Sequence, residues 1–505
     1  MPNVLWRLVA PIGVALVGLS LAFAQPSSRM SFSRVTIDPG LGRLEFVHAV
    51  ADLNGDGRDD VVVGGRADYV LGETPEDRLT KTLLHVFVGA RDGSLAHAPE
   101  LIDGSIEVRN AVVVAADFNG DTRPDLAVFD AGALLPELGG YGNPPQLLLS
   151  GAGGPLQPSD ALADAVRREH ERRPSSRYSG LADLHVKTAV AGDIDGDGDL
   201  DMWVESSGGA NITSHFMVNN GDQAFTLDTT RAPHELLHNP PPEFWRHLGA
   251  DLVDVDNDRD LDLVLGQIRD HDPTHINQFS IVLVNNGAGR FPVRIELPHP
   301  AFNDGRTVVQ GLTHFDVNGD GYDDLLLAHQ RRDGPPNVIP FTGRFIQVLI
   351  NRAAPSGLLR RHTSLSFGDE TRTWMADQSA TVQQRYPDGE LMSNIAEPKM
   401  YDVDRDGCLD LVMSRSLDPV RAEAPLVYRN DGRGRFRAVS PRPFAGSDRY
   451  FGSYAVPADV NGDGAIDFVV PRHHNGPDSR YNTGDDFTTL VTLVNTTPPG
   501  PIRCE

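Results

Sequence analysis

The sequence predicts an all-β protein: a seven-bladed β-propeller with four-stranded antiparallel blades and a calcium-binding loop between strands one and two of each blade. Three observations lead to this fold class. An acidic nine-residue pattern recurs seven times in 505 residues, short apolar runs flank every copy, and the chain holds 50 Gly and 37 Pro. Such repeats and so many turn residues are typical of a propeller, in which each repeat forms one sheet.

Each acidic loop has aspartate or asparagine at positions 1, 3, 5 and 9 of the pattern, and the loops are numbered 1 to 7 in chain order. Loops 1 to 4 carry Asp52, Asn54, Asp56 and Asp60; Asp117, Asn119, Asp121 and Asp125; Asp193, Asp195, Asp197 and Asp201; and Asp254, Asp256, Asp258 and Asp262. Loops 5 to 7 carry Asp316, Asn318, Asp320 and Asp324; Asp402, Asp404, Asp406 and Asp410; and Asp459, Asn461, Asp463 and Asp467.

This spacing predicts metal sites for up to seven Ca²⁺ ions. Ca²⁺ takes roughly 6–8 oxygens at about 2.3–2.6 Å. Side chains at positions 1, 3 and 5 of a tight loop can converge on one ion, the carbonyl of position 7 adds an oxygen, and the aspartate at position 9 closes the site. Glycine at positions 4 and 6 permits the positive φ of such a bend. Loop 4 has Asn257 and Arg259 there, so we expect it to be the most strained.

The acidic pattern has two competing interpretations, an EF-hand and a solvated turn. An EF-hand needs an acidic residue at position 12, and this position is apolar in all seven copies, from Val63 in loop 1 to Val470 in loop 7. The EF-hand interpretation therefore fails. A solvated turn that binds no metal is credible for any single copy, but the sevenfold repetition disfavours it.

The same order of strands surrounds each loop. In the first repeat an entering strand over Phe46–Ala51 leads into the loop, and a second strand follows over Asp60–Val63. A third strand is predicted over Leu84–Val88, and a glycine-rich hairpin leads to a fourth strand. Ser159–Arg172 is predicted to be an inserted helix with a packing role.

The domain prediction is a signal peptide over residues 1–24 and a propeller over residues 25–505. Arg7, the apolar run Leu8–Phe23 and the small residues at Ala22 and Ala24 are typical of secretion, and the run is short for a membrane anchor. With 45 basic and 70 acidic residues the net charge is −25, which argues against nucleic-acid binding. We expect a secreted, extracellular or periplasmic protein with no membrane span after cleavage.

The two ends of the chain are predicted to close the ring. The seventh repeat ends after its third strand, near Thr488–Val494, so an N-terminal strand near residues 32–37 is expected to complete the last blade. Strand direction would place Cys504 near Cys408 of loop 6. A disulfide and two unpaired thiols are both open.

The repeats resemble the FG-GAP/VCBS repeats of integrin α-subunit propellers and of secreted bacterial proteins. The last blade carries the resemblance best, with Phe451-Gly452 before Asp459-Val-Asn461-Gly-Asp463-Gly. The resemblance implies a calcium-binding propeller. It implies no particular activity, because propellers host many functions.

The expected function is the binding of a glycan or a protein through the face opposite the acidic loops, where long connections gather. An extracellular carbohydrate-active enzyme of lyase or dehydratase type, using loop His and Arg, is the alternative, and a purely structural module is the third possibility. No catalytic motif is present, so the catalytic residues are unknown. The connections are Arg231–Leu248, Arg269–Phe279, His329–Phe345, Asp369–Glu397 and Arg472–Phe487, and the aromatic candidates are Trp245, Trp374, Tyr450 and Tyr481.

Overall fold

The computed structural model describes twenty-one stretches of the chain. These are residues 30–42, 44, 46–64, 82–102, 105–108, 111–130, 143–151, 153–172, 186–206, 214–221, 223–232, 247–268, 279–300, 307–331, 343–352, 365–375, 397–414, 426–439, 455–474, 487–501 and 504. The predicted signal peptide lies outside them. So do Trp245, Tyr450, Tyr481 and Phe451-Gly452.

Seven four-stranded antiparallel sheets form a propeller ring, which confirms the predicted fold class. The first half of the chain forms β1 (Phe32–Ile37), β2 (Phe46–Ala51), β3 (Asp60–Gly64), β4 (Thr82–Leu83), β5 (His85–Gly89), β6 (Leu95–His97), β7 (Glu107–Val108), β8 (Ala111–Ala116), β9 (Asp125–Asp130), β10 (Gln146–Leu149), β11 (Gln157–Ser159), β12 (Val186–Gly192), β13 (Asp201–Ser206), β14 (His215–Asn219) and β15 (Phe225–Asp228).

The second half forms β16 (His247–Val253), β17 (Asp262–Gln267), β18 (Ile281–Val284), β19 (Val293–Glu296), β20 (Thr307–Phe315), β21 (Asp324–Arg331), β22 (Gly343–Asn351), β23 (Phe367–Asp369), β24 (Glu397–Tyr401), β25 (Asp410–Ser414), β26 (Leu426–Asn430), β27 (Phe436–Ala438), β28 (Val456–Ala458), β29 (Asp467–His474) and β30 (Phe487–Asn495). Blade 1 consists of β2, β3, β5 and β6, and blades 2 to 6 each take four consecutive strands from β8, β12, β16, β20 and β24. The strands β4 and β7 form a separate two-stranded ribbon.

The hydrophobic core lies between the blades. The described residues contain seven buried apolar clusters, and each joins two neighbouring blades around the ring. Second strands are buried on both faces, as Val61, Val62 and Val63 show. Between blades 3 and 4, the ring of Phe216 stacks on Phe291 at 4.9 Å. Every blade thus needs both neighbours to bury its sheet.

The first strands of blades 1 to 6 contact one another in order around the ring, as β16 does with β12 and β20. These strands therefore surround the axis of the ring, while the fourth strands lie at its outside. The predicted inserted helix is α1 (Ala161–Arg172), which packs Leu162 and Val166 into the cluster between blades 2 and 3. A second helix, α2, spans Thr371–Trp374, and a 3₁₀ turn spans Pro99–Leu101.

The N-terminal strand closes the ring as the outermost strand of blade 7, whose order is β28, β29, β30 and β1. It pairs with β30 from Phe32↔Asn495 to Ile37↔Leu490. The amide of Ser31 also donates to the Thr497 hydroxyl at 3.0 Å. Residues more than 400 positions apart thus share one sheet, which gives blade 7 its full complement of strands.

The cysteines form a disulfide, Cys408–Cys504, with a Cα–Cα distance of 5.0 Å. This decides between the two possibilities that the sequence leaves open. The bond spans 96 residues, and a loop of that length corresponds to about 4–5 kcal/mol in the chain-entropy account. The end of the chain is thereby attached to loop 6.

Deleting the closing strand tests its role. A chain that begins at residue 43 should lose its single cooperative thermal transition, because blade 7 would expose the unpaired edge of β30 and the ring would open. A chain that begins at residue 30 keeps β1 and serves as the control. Differential scanning calorimetry of both would contradict the closure if the shorter chain melted at the same temperature as the control.

Candidate metal centres

The backbone of every acidic loop turns through two left-handed residues. Positions 4 and 6 have positive φ in all seven loops, and ten of these fourteen positions are glycine. Loop 4 has two other residues there, Asn257 at 59° and Arg259 at 79°, which confirms the expected strain. Thr122 in loop 2 and Arg405 in loop 6 also have positive φ, so these loops carry one strained position each.

The aspartate at position 1 is held by the turn that follows it. In loop 1, Asp52 Oδ1 accepts the amides of Gly55 and Asp56 at 2.7 and 3.0 Å, and its Oδ2 accepts the amide of Gly57 at 2.8 Å. The bond from the position 6 amide to position 1 is present in all seven loops. The loops therefore share one geometry despite their different sequences.

The aspartate at position 9 is fully buried and joins the loop to the third strand of its blade. In loop 2, Asp125 Oδ2 accepts the amide of Phe118 at 2.7 Å, and Oδ1 accepts the amide of Ser150 at 2.6 Å. The sequence predicts a metal ligand here but not this structural role. All seven carboxylates, Asp60, Asp125, Asp201, Asp262, Asp324, Asp410 and Asp467, are 0% exposed and accept the third-strand amide.

Asparagines at the ends of third strands connect neighbouring blades, a feature that the sequence analysis missed. The carboxamide of Asn285 in blade 4 donates to the carbonyl of Ile194 in loop 3 at 2.7 Å. Equivalent bonds run from Asn219 to Phe118, from Asn351 to Val255 and from Asn495 to Val403, at 2.9, 2.7 and 2.9 Å. The same asparagines supply the amides that bind position 9, so the loops are coupled around much of the ring.

Burial raises the pKa of every position 9 carboxyl, and neighbouring carboxylates at positions 1, 3 or 5 raise it further, although backbone amides oppose the shift. The pKa rises to about 6 for Asp60, to about 7 for Asp201, Asp324 and Asp467, and to about 8 for Asp262 and Asp410, and that of Asp125 is raised as well. A bound cation would favour the ionised form and reverse this shift.

Carboxylate oxygens converge in the three loops that have aspartate at position 3. In each, three ligand atoms lie within 4.8 Å of one another, and the sets are Asp193, Asp195 and Asp197; Asp254, Asp256 and Asp262; and Asp402, Asp404 and Asp410. In the other four loops asparagine offers its amide oxygen at position 3, as Asn54 does to the amide of Asp56 at 2.9 Å.

The donor set fits a hard cation. Its side-chain oxygens come from carboxylates and carboxamides, the ligands that Ca²⁺ takes. In loop 3, Asp195 Oδ1 is buried and has no hydrogen-bond partner. A cation bound in the loop would give this oxygen a partner. All 28 predicted ligand residues lie in the described part of the chain, within seven loops of this common form.

Buried polar side chains lie at the opposite ends of the second strands, five residues after position 9. Asp130, Gln267, His329 and Arg472 hold this place in blades 2, 4, 5 and 7 and are at most 6% exposed. His329 bonds the Thr307 hydroxyl at 3.1 Å and the Gln347 carboxamide at 2.9 Å, and burial lowers its pKa to about 4. A polar residue that ends an apolar run is the sequence signal that could have identified them.

The predicted ligand-binding aromatics are only partly described. Trp374 packs against the apolar cluster between blades 5 and 6, and its indole N–H donates to Glu370 at 3.3 Å. Trp374 therefore packs against the core between blades 5 and 6 and does not present a free ring to a ligand. The loop histidines considered for the enzyme alternative include five in the connections Arg231–Leu248 and Arg269–Phe279. Of these, His247 is buried, and His234, His238, His271 and His275 lie outside the described residues.

Two segments of the chain are similar to a known repeat family. The family model of the FG-GAP-like repeat matches residues 52–128 and 393–470. No curated protein matches the sequence. No helix among the described residues has the length and apolar character to cross a membrane.

Three solved structures are similar to this chain at low sequence identity. An Agrocybe aegerita lectin that recognises non-reducing terminal N-acetylglucosamine is 16% identical, with 83% of this chain and 84% of that chain covered and a TM-score of 0.44. The exotype rhamnogalacturonan lyase YesX is 12% identical, with 94% and 74% covered and a TM-score of 0.41. The V. cholerae biofilm matrix protein Bap1 is 13% identical, with 90% and 77% covered and a TM-score of 0.30.

The raised pKa values predict how the metal-free protein responds to pH. Between pH 6.5 and 8 the position 9 carboxyls with pKa values of about 7 to 8 lose the proton that they bind in the folded state, while the unfolded chain is already ionised. The folded state binds more protons, so stability falls as pH rises. The pKa of His329 is lowered to about 4, so this residue affects stability only below this pH window.

We therefore expect the melting temperature of metal-stripped protein to fall steadily from pH 6.5 to 8, and the fall to disappear in excess calcium. Asp262→Asn should flatten the slope, because it removes one of these carboxyls. Asp92→Asn, an exposed aspartate outside the loops, is the matched control. A metal-free melting temperature that rose with pH over this window would contradict the assignment.

Proposed function

We propose that this FG-GAP repeat β-propeller protein is an extracellular, calcium-stabilised binding module that recognises a glycan or a protein through the face opposite its acidic loops. The observation that carries the proposal is the repeated carboxylate geometry at one end of every blade. That end serves stability, which leaves the other end of the ring for recognition.

Calcium would stabilise the ring through charge. Each loop gathers three or four carboxylates at one end of its blade, and position 9 is completely buried. Without a cation these groups repel one another and shift toward the protonated form. An ion bound only by the folded protein adds RT ln(1 + [Ca²⁺]/Kd) to the free energy of unfolding, or about 2.7 kcal/mol at 100 times Kd.

The opposite face has features suited to recognition. Third strands end beside the acidic loops, so they begin on this face, where β30 starts at Phe487. The ring of Phe487 is 36% exposed and stacks on His474 with centroids 4.7 Å apart. An exposed flat ring on a rigid strand suits the apolar face of a sugar or an apolar side chain.

The disulfide supports an extracellular setting. Such bonds persist in oxidising compartments and are rare in the cytosol. The disulfide of this protein joins Cys408 and Cys504. Its presence fits export of the chain, which the signal peptide expected over residues 1–24 would direct. Export and disulfide formation would then occur together.

Calcium removal is the first test. Metal-stripped protein should melt at least 10 °C lower than protein in millimolar calcium, because several ions each add to stability. Asp320→Asn, which neutralises position 5 of loop 5, should reduce the calcium-dependent shift, while Asp92→Asn should leave it unchanged. Identical melting curves with and without calcium would exclude the stabilising role.

Ligand recognition is the second test. Phe487→Ser should weaken binding to any glycan that the protein retains on a glycan array by about tenfold, the loss of roughly 1.4 kcal/mol. Leu409→Ser is the matched control, because Leu409 is 40% exposed but lies in loop 6 on the other face. Equal losses in the two variants would place the ligand elsewhere. Product release from acidic polysaccharides would instead favour the lyase alternative.

A further inference from the structure

Blade 6 has a charged residue at a place that is apolar in every other blade. Arg429 precedes Asn430, the residue whose amide binds the position 9 carboxylate of loop 6 at 2.9 Å. In the other six blades the residue at this place is Val88, Leu149, Val218, Val284, Ile350 or Val494. The exchange of an aliphatic side chain for arginine is specific to this blade.

The guanidinium group of Arg429 bridges two of the predicted metal ligands. Its Nη2 lies 2.8 Å from Asp406 Oδ2 at position 5, and its Nε contacts Asp404 Oδ2 at position 3. The side chains of Asp404 and Asp406 are 0% and 2% exposed, and that of Arg429 is 21% exposed.

The C-terminal segment covers this loop. Position 5 is exposed in the other six loops, whereas Asp406 is buried. The amide of Gly500 donates to the Arg405 carbonyl at 2.8 Å, and the disulfide attaches Cys504 to Cys408 at position 7. Loop 6 is therefore ordered by contacts that need no ion.

Arginine approaches two other loops without this arrangement. In loop 3, Arg231 reaches Asp195 Oδ2 at 3.0 Å, but Asp197 at position 5 is exposed. In loop 1, Arg58 at position 7 pairs only with Asp56, which is exposed. Among the described residues, only loop 6 has one guanidinium group on both position 3 and position 5.

We infer that the guanidinium group of Arg429 takes the place of the metal ion in loop 6, so that calcium enters at most the other six loops. A planar guanidinium donates to two carboxylates at once. Calcium would need the same oxygens at about 2.3–2.6 Å. The partly buried guanidinium group of Arg429 would have to leave them first. This inference rests on the proposed calcium binding and reduces the expected maximum from seven ions to six.

Counting bound calcium in variants tests the inference. Metal-stripped protein is dialysed to equilibrium against calcium, and the bound ions are measured by elemental analysis. Asp406→Asn should bind as many ions as the wild type, whereas Asp320→Asn, the same change at position 5 of loop 5, should bind one fewer. Arg429→Val places the residue of blades 1, 3, 4 and 7 in blade 6 and should bind one ion more.

The inference is overturned if Asp406→Asn loses an ion or if folded Arg429→Val gains none. If Arg429→Val does not fold, the Asp406→Asn and Asp320→Asn comparison decides alone. The melting temperature gives a second readout, because Asp406→Asn should lower it equally with and without calcium. A wild-type protein that binds no calcium contradicts the proposed function. Even then, a gain of one ion by Arg429→Val would support the inference that the Arg429 guanidinium group occupies the metal position of loop 6.

Discussion

The propeller depends on the hydrogen bonds that the buried carboxylate at position 9 accepts in each blade. One of its oxygens accepts a third-strand amide in every blade, and in blades 1 to 6 the other accepts an amide within the loop, as in Asp125 with Ser150 and Phe118. Dehydrating a carboxylate is costly, and the cost is reduced by such hydrogen bonds and by a nearby cation. The same group thus fixes the local shape of a blade and creates a demand for positive charge.

Hydrogen bonds carry this local order from blade to blade. Asn285 binds both the position 9 carboxylate of its own blade and a carbonyl of the preceding loop. The apolar clusters lie between blades rather than within one sheet, so an isolated blade has no core of its own. The polar and apolar contacts therefore act on the same boundaries, and the ring is stable only as a whole.

Much of this arrangement is readable from the sequence because it repeats. The acidic spacing, the two left-handed positions and the apolar second strands depend on neighbours within a few residues, and the closing strand follows from counting strands. The role of Asn285, which reaches 91 positions back to Ile194, requires knowledge of which blades touch. In the sequence, Arg429 has the position of an ordinary strand residue. Its contacts with Asp404 and Asp406 are visible only in the folded structure. The buried polar strand ends, such as His329, likewise acquire partners only in three dimensions.

The pairing of β1 with β30 has a consequence for how the chain matures. Its two strands lie more than 400 positions apart, so β1 is made long before its partner β30. During synthesis, the first six blades are made while β1 still lacks its partner β30. The growing molecule is an open arc with one unpaired strand until its final segment emerges, and this interval is when chaperones and proteases have their best access to it.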